Sequence, residues 1–146
     1  MPKGKQAVHV NLRNRISQAG SKEDLQVNSQ GAYFRLGDKH YLEYQEEVAD
    51  QGPAQVRVKV DLKAGRALIQ RKTADAAMRL PLVPGQAVPS HYQVGPYRIP
   101  MTVELKSLSH DLAADKGSLR LVYEISDLDD QPIRHELKLH YHAEIV

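Results

Sequence analysis

The chain has 146 residues, no cysteine or tryptophan, and 20 Lys plus Arg against 18 Asp plus Glu, a formal net charge of +2. That composition excludes a disulfide framework and a thiolate metal site, and the near balance of charge weighs against a nucleic-acid partner, whose binders concentrate basic side chains. The length suits one self-sufficient domain, 1–146, with residues 1–6 as a flexible tail. No apolar run approaches the ~20 residues of a membrane helix, and none follows the basic Met1–Lys5 as a secretory signal would, so a cytoplasmic protein is expected.

A period of two recurs from end to end, the signature of strands with one dry and one wet face. The first expected strand, Ala7–Ser17, puts Val8, Val10, Leu12 and Ile16 on one side. A turn near Gly20-Ser21 leads to a second, Asp24–Leu36, interrupted at Gly31 as a bulge or bend would. Gly37-Asp38 turns the chain into Lys39–Glu46. Beyond the loop Glu47–Pro53, Ala54–Leu62 and Arg66–Thr73 form a hairpin, with Val56, Val58, Val60 and Leu62 alternating with Arg57, Lys59 and Asp61. Asp75–Val83 is a further strand, which Pro81 marks as an edge or a terminus. Pro84-Gly85 and Pro89-Ser90 punctuate a loop, Tyr92–Val94 is a short strand, and Ile99, Met101, Val103 and Leu105 alternate through a longer one. Ser109–Gly117 has the cap and terminator of one or two helical turns. Strands at Ser118–Ser126 and Ile133–Ile145, joined by the polar loop Asp127–Pro132, complete the chain.

The expected fold is therefore all-β, an antiparallel barrel of about 8–10 strands with at most one short helix. A barrel of that size holds either packed side chains or one small ligand. An enclosed apolar void of about 300 Å³ or more would favour a ligand inside the barrel, and a packed interior would exclude one there.

Polar residues on dry faces are the candidates for chemistry. Tyr44 and Glu46 share parity with Leu42, and Arg71 shares parity with Ile69. A carboxylate and a guanidinium turned inward are driven to pair, because a buried unpaired charge costs several kcal/mol. Such a pair either fixes strand register or presents the planar fork of Arg71 to a ligand's carboxylate or phosphate. His135 sits with Leu137, Leu139 and Tyr141, and serves either as a ligand anchor or as a satisfied core histidine. His140 and His142 share a wet face with Lys138 and Glu144. They could chelate a metal only with a third ligand such as Glu124, so no metal site is expected. His135 and His140 are five residues apart in a strand pattern, which excludes the helical His-Glu-x-x-His arrangement. Asp127–Asp130 lacks the glycine and terminal glutamate of a calcium loop. Tyr33, Phe34, Arg35, Lys39, His40 and Tyr41 interleave aromatic and cationic groups, as single-strand binding surfaces do. No nucleophile elbow, phosphate loop or dinucleotide fingerprint is present, so catalysis has no residue-level support and no cofactor is expected.

The segments Gly31-Ala-Tyr33-Phe34, Tyr41-Leu-Glu-Tyr44-Gln-Glu46, Ile69-Gln-Arg71-Lys72, Met78-Arg-Leu80, Tyr92 and Gly117–Tyr123, in this order, resemble the YwiB-like family of uncharacterised bacterial calycin-type β-barrels. The resemblance spans nearly the whole chain. It implies a closed or nearly closed barrel shaped like lipocalins, and a housekeeping role linked to translation. Two loops depart from the family: Thr73-Ala74-Asp75 and Tyr97 stand where relatives tend to have glycine. The expected function is non-enzymatic binding of a small apolar or amphipathic molecule inside the barrel. The alternative is a packed barrel whose outer surface binds protein or RNA.

Overall fold

Alternating apolar side chains need a shared interior, and ten strands roll up to provide one. The computed structural model describes residues 5–48, 52–126 and 131–144. Its strands are β1 (Gln6–Gln18), β2 (Ser21–Leu36), β3 (Lys39–Val48), β4 (Gly52–Asp61), β5 (Arg66–Lys72), β6 (Ala76–Leu82), β7 (Ala87–Val94), β8 (Tyr97–Leu112), β9 (Lys116–Ser126) and β10 (Pro132–Ala143). Each pairs antiparallel with its sequence neighbour, and β1 also pairs with β10, from Val8↔Ala143 to Ser17↔Arg134, which closes the barrel. The expected loops Glu47–Pro53 and Asp127–Pro132, the calcium-like Asp127–Asp130 and most of the expected tail lie partly or wholly outside the described residues. Gln6 already pairs with Tyr33.

The interior is filled at mid-height. Val10, Leu42, Val58, Val60, Leu82, Val103, Leu119, Leu121 and Leu139 come from seven strands and are almost wholly buried. Gly31 lets β2 and β3 approach: a Cβ there would fall 2.3 Å from the Glu43 carbonyl oxygen.

Two expectations need correction. Among the described residues there is no helix, and Ser109–Leu112 instead continue β8, pairing with Arg120–Gly117 of β9. A β-bulge between Leu105 and Ser107 shifts the register. It moves the inward positions from odd (Val103, Leu105) to even (Leu108, Leu112), so the alternation appears broken when the sequence is read straight through. Pro89-Ser90 is also not a loop but lies within β7.

The ladder explains how prolines fit there. β6 pairs with β7 only over Ala76–Met78. Beyond that point Pro81 on one side and Pro89 on the other face a gap, where a missing backbone donor costs little. The Ser90 hydroxyl spans this seam by donating to the Arg79 carbonyl, and an isolated Pro84–Leu105 bridge joins the sheet again further along.

One end of the barrel is sealed by aromatic packing. Tyr141 lies directly across from Gly117, and a Cβ on that glycine would sit 2.6 Å from the Tyr141 hydroxyl. The hydroxyl donates to the Ala113 carbonyl (2.6 Å) and accepts from the Ala113 amide (3.2 Å), tying down the β8–β9 turn. Gly117→Ala is expected to destabilise the protein by about 1–3 kcal/mol through this overlap. Urea unfolding of the variant beside the parent checks it, and equal midpoints would show that the ring has room to move.

Candidate functional site

The opposite end holds a cavity of about 190 Å³ that opens toward solvent between strand ends. Its walls are apolar (Leu12, Ile16, Val27, Ile69, Leu80 and Leu137 among them), and Asn14, Tyr44, Glu46, Arg71, Tyr123 and His135 project into it. The four residues singled out in the sequence, Tyr44, Glu46, Arg71 and His135, thus line one space although they come from three separate strands. The volume is below the void expected for a drug-sized ligand. The apolar layer at mid-height, packed rather than hollow, sets that limit.

Strand pairing positions each group. Tyr44, Val56, Arg71 and Met78 form one cross-strand row over β3–β6, with Glu46 two residues further along β3 toward the mouth. Arg71 Nη2 lies 3.5 Å from Glu46 Oε2, an ion-pair distance, and no side-chain hydrogen bond of Arg71 accompanies it among the described residues. The two side chains keep 29% and 20% of their exposure, so water still reaches the pair and its desolvation cost is modest. Tyr44 and Tyr123 are buried, and burial is the main reason that both phenols are held well above their ordinary range, with the Glu46 carboxylate adding to the effect. Neither hydroxyl makes a hydrogen bond among the described residues.

Across the cavity, His135 stacks on Tyr123, with ring centroids 4.9 Å apart and planes within 2°. The Asn14 amide contacts His135 Nδ1 at 3.4 Å, while Asn14 Oδ1 is buried without a partner. Asn14 and Tyr123 were missed in the sequence. The available signal was parity: both occupy positions on dry faces, Asn14 between Leu12 and Ile16 and Tyr123 between Leu121 and Ile125.

The remaining candidates lie elsewhere. His140 and His142 face outward on β10, opposite Asn11 and His9, and the His9 and His142 rings sit 5.4 Å apart. Glu124 does not reach them: on β9 it pairs across from Arg134, six residues along the ladder from the partner of His140, and it lies 3.7 Å from Lys106. No group of three potential metal ligands is assembled among the described residues. The run from Tyr33 to Tyr41 divides between faces. Phe34 and Tyr41 stack outside at 4.7 Å. Tyr33 and His40 are inside at the sealed end, where the Tyr33 hydroxyl and His40 Nδ1 share a hydrogen bond of 2.5 Å and the Tyr33 ring stacks on Tyr141 at 5.0 Å.

Geometry and composition together define a closed antiparallel barrel with a small polar station at one mouth. Residues 10–139 match the family described as a domain of unknown function (DUF1934), and the chain belongs to that family. It is 26% identical, over 134 residues and 92% of each sequence, to the uncharacterized beta-barrel protein YwiB of Bacillus subtilis (strain 168). The crystal structure of the ywiB protein from Bacillus subtilis shares the fold, with a TM-score of 0.86 and 23% identity over 99% of this chain and 96% of the other.

Burial pushes the His135 imidazole down to about 4. The unfolded chain takes up a proton near pH 6.5 and the folded protein does not, so stability is greatest above that pH and is lost as pH falls from 6.5 toward 4. The loss from this group is roughly 3 kcal/mol. His40, also pushed down by burial, acts in the same direction. His135→Phe keeps the stack on Tyr123 and is expected to remove most of the decline between pH 7 and about 4.5 in urea unfolding. A decline equal to that of the parent would contradict a buried neutral imidazole.

Proposed function

We propose that the barrel is a non-enzymatic binder of a small amphipathic molecule, held at the mouth cavity with its polar head toward Arg71 and Glu46. One observation carries this reading: hydrogen-bonding groups from five strands converge on the same apolar-walled space with capacity left unspent. The Arg71 guanidinium, the Tyr44 and Tyr123 hydroxyls and Asn14 Oδ1 are all available to a ligand there. A buried polar atom without a partner costs free energy; a carboxylate head accepts from the two phenols and Arg71, while Asn14 Oδ1, itself an acceptor, is served only by a donor on the ligand. A few polar groups in an otherwise apolar concavity are the usual form of a small-molecule site.

Size narrows the occupant. About 190 Å³ is below the roughly 300 Å³ at which pockets for drug-sized ligands begin, so a long lipid does not fit within it. A short-chain carboxylate does: its oxygens can accept from Arg71 and the phenols, and its tail can meet Leu12, Val27 and Ile69. Glu46 then acts as the internal counter-ion that keeps Arg71 oriented while the site is empty. The calycin-like shape and a cytoplasmic location belong to this same proposal.

Native mass spectrometry of the protein freshly purified from its host, followed by NMR titration with hexanoate, tests it. A bound small molecule, or hexanoate shifts centred on Tyr44, Arg71 and Tyr123, is the expected result. Arg71→Ala should abolish either signal while changing stability by less than about 1 kcal/mol, as for a partly solvated pair. Val27→Phe, which fills the cavity, should do the same. A bare mass together with no hexanoate shifts would overturn the reading, and a large stability loss in Arg71→Ala would make the pair structural.

A further inference from the structure

On the outside of the same strands the charge is uneven. β3–β6 present two adjoining grooves, of about 500 and 310 Å³, which share Arg79. The outward cations lining them are Lys39, Arg57, Lys59, Arg66, Lys72 and Arg79. Six cations face two outward carboxylates, Glu43 and Asp61, a surplus of four on a chain whose formal total is +2.

The carboxylates are already engaged. Glu43 pairs with Arg57 and, at 2.6 Å, with Lys5, and Asp61 accepts the Ala64 amide at 3.1 Å. Lys39, Lys59, Arg66, Lys72 and Arg79 make no ion pair within 4 Å among the described residues. On the far side of the barrel Arg13 and Arg15 share Asp24 and Arg120 holds Glu136, while Arg134 and Lys138 make no ion pair among the described residues.

Register arranges the free cations in rows. Tyr41, Lys59, Leu68 and Pro81 form one, Glu43, Arg57, Gln70 and Arg79 the next, Gln55, Lys72, Ala77 and Gln93 a third, and on the other side of the first Lys39 and Arg66 flank Asp61. Successive rows are roughly 7 Å apart, two residues along a strand. The stacked Phe34–Tyr41 pair adjoins the first row, beside β4. Cations spaced over a curved sheet, with glutamines between them and aromatics at the border, suit a flexible polyanion that can follow the curvature. A rigid duplex would touch only part of it.

We propose that this face binds single-stranded nucleic acid through its phosphates, with little preference for sequence. The larger groove reaches Val56, Arg71 and Met78, which also line the mouth cavity, but the cations proposed to hold phosphate face outward from β3–β6, whereas Arg71 belongs to the inward row.

Fluorescence anisotropy with a labelled mixed-sequence RNA of about 16 nucleotides tests it. Five cations engaged on phosphates predict a slope of log affinity against log salt near about −3.5, hence a loss on the order of 100-fold between about 50 and 200 mM salt. K59Q/R66Q/R79Q should make the slope shallower by about two, and K59E/R66E/R79E should abolish binding at the lower salt. Lys138→Glu, on the far side, should leave binding within twofold. Circular dichroism melts confirm that each variant is folded. No binding at 50 mM salt, or binding that survives the triple reversal, would overturn the proposal. So would a polyglutamate peptide that competes with the RNA at equal affinity, because the face would then be a general acidic-protein surface.

Discussion

Pairing of the first strand with the last is the constraint on which the rest of this structure depends. β1 meets β10 over a register running from Val8↔Ala143 to Ser17↔Arg134, and once that ladder forms the ribbon has an inside with a fixed volume. Every inward residue of ten strands must then share it at the packing density of a protein interior. Aliphatic side chains satisfy this at mid-height. Polar side chains can be accommodated only where strand ends admit water or where a partner is supplied. Both outcomes occur: the Tyr33–His40 hydrogen bond at the sealed end, and the Glu46–Arg71 pair at the open one. The barrel is therefore polar at its ends and dry between them, and a deep lumen of the lipocalin kind is ruled out by its own filling.

Closure also has to tolerate prolines within strands, and the seam between β6 and β7 is where Pro81 and Pro89 sit. Eight residues of β7 pair with β8, but only three residues of β6 pair with β7. Over the unpaired stretch a side chain, Ser90, replaces a ladder hydrogen bond. Pro81 and Pro89 are confined to this interval because an unbroken ladder would leave a carbonyl unsatisfied opposite each of them. The weakest join in the wall is thus encoded by the two residues that cannot complete it.

This bears on what could be read from the sequence. The strand alternation, the antiparallel order and the inward pairing of Glu46 with Arg71 were legible because each depends only on parity, which a closed sheet preserves. The expected helix at Ser109–Gly117 failed for the same reason reversed: one bulge after Leu105 exchanges the faces, and parity read across it misleads. Pro89-Ser90 has the chemistry of a loop, but local turn chemistry says nothing of whether the neighbouring strand is paired. Asn14 was passed over because its importance comes from His135, 121 residues away in sequence, and the cluster of Tyr33, His40 and Tyr141 was hidden likewise. Cavity volume was the least legible quantity, since it is a small difference between a barrel's girth and the summed size of many side chains.

The same parity separates the two surfaces on which function is proposed. By the alternation of burial along each strand Arg71 points inward while Gln70 and Lys72 beside it point outward, and Val56 and Arg57 divide in the same way. One stretch of backbone can therefore carry two unrelated chemistries, because each pleat turns alternate side chains into environments that differ in dielectric and in water. Through-space coupling across the wall is limited for the outer cations, whose fields are screened within about 10 Å at ordinary ionic strength. What would couple the faces is slippage. A shift of one residue in β4 would turn Arg57 and Lys59 into the core and Val56 and Val58 out of it. The desolvation of those two cations opposes that shift. The outer charges thus enforce the inner site without touching it.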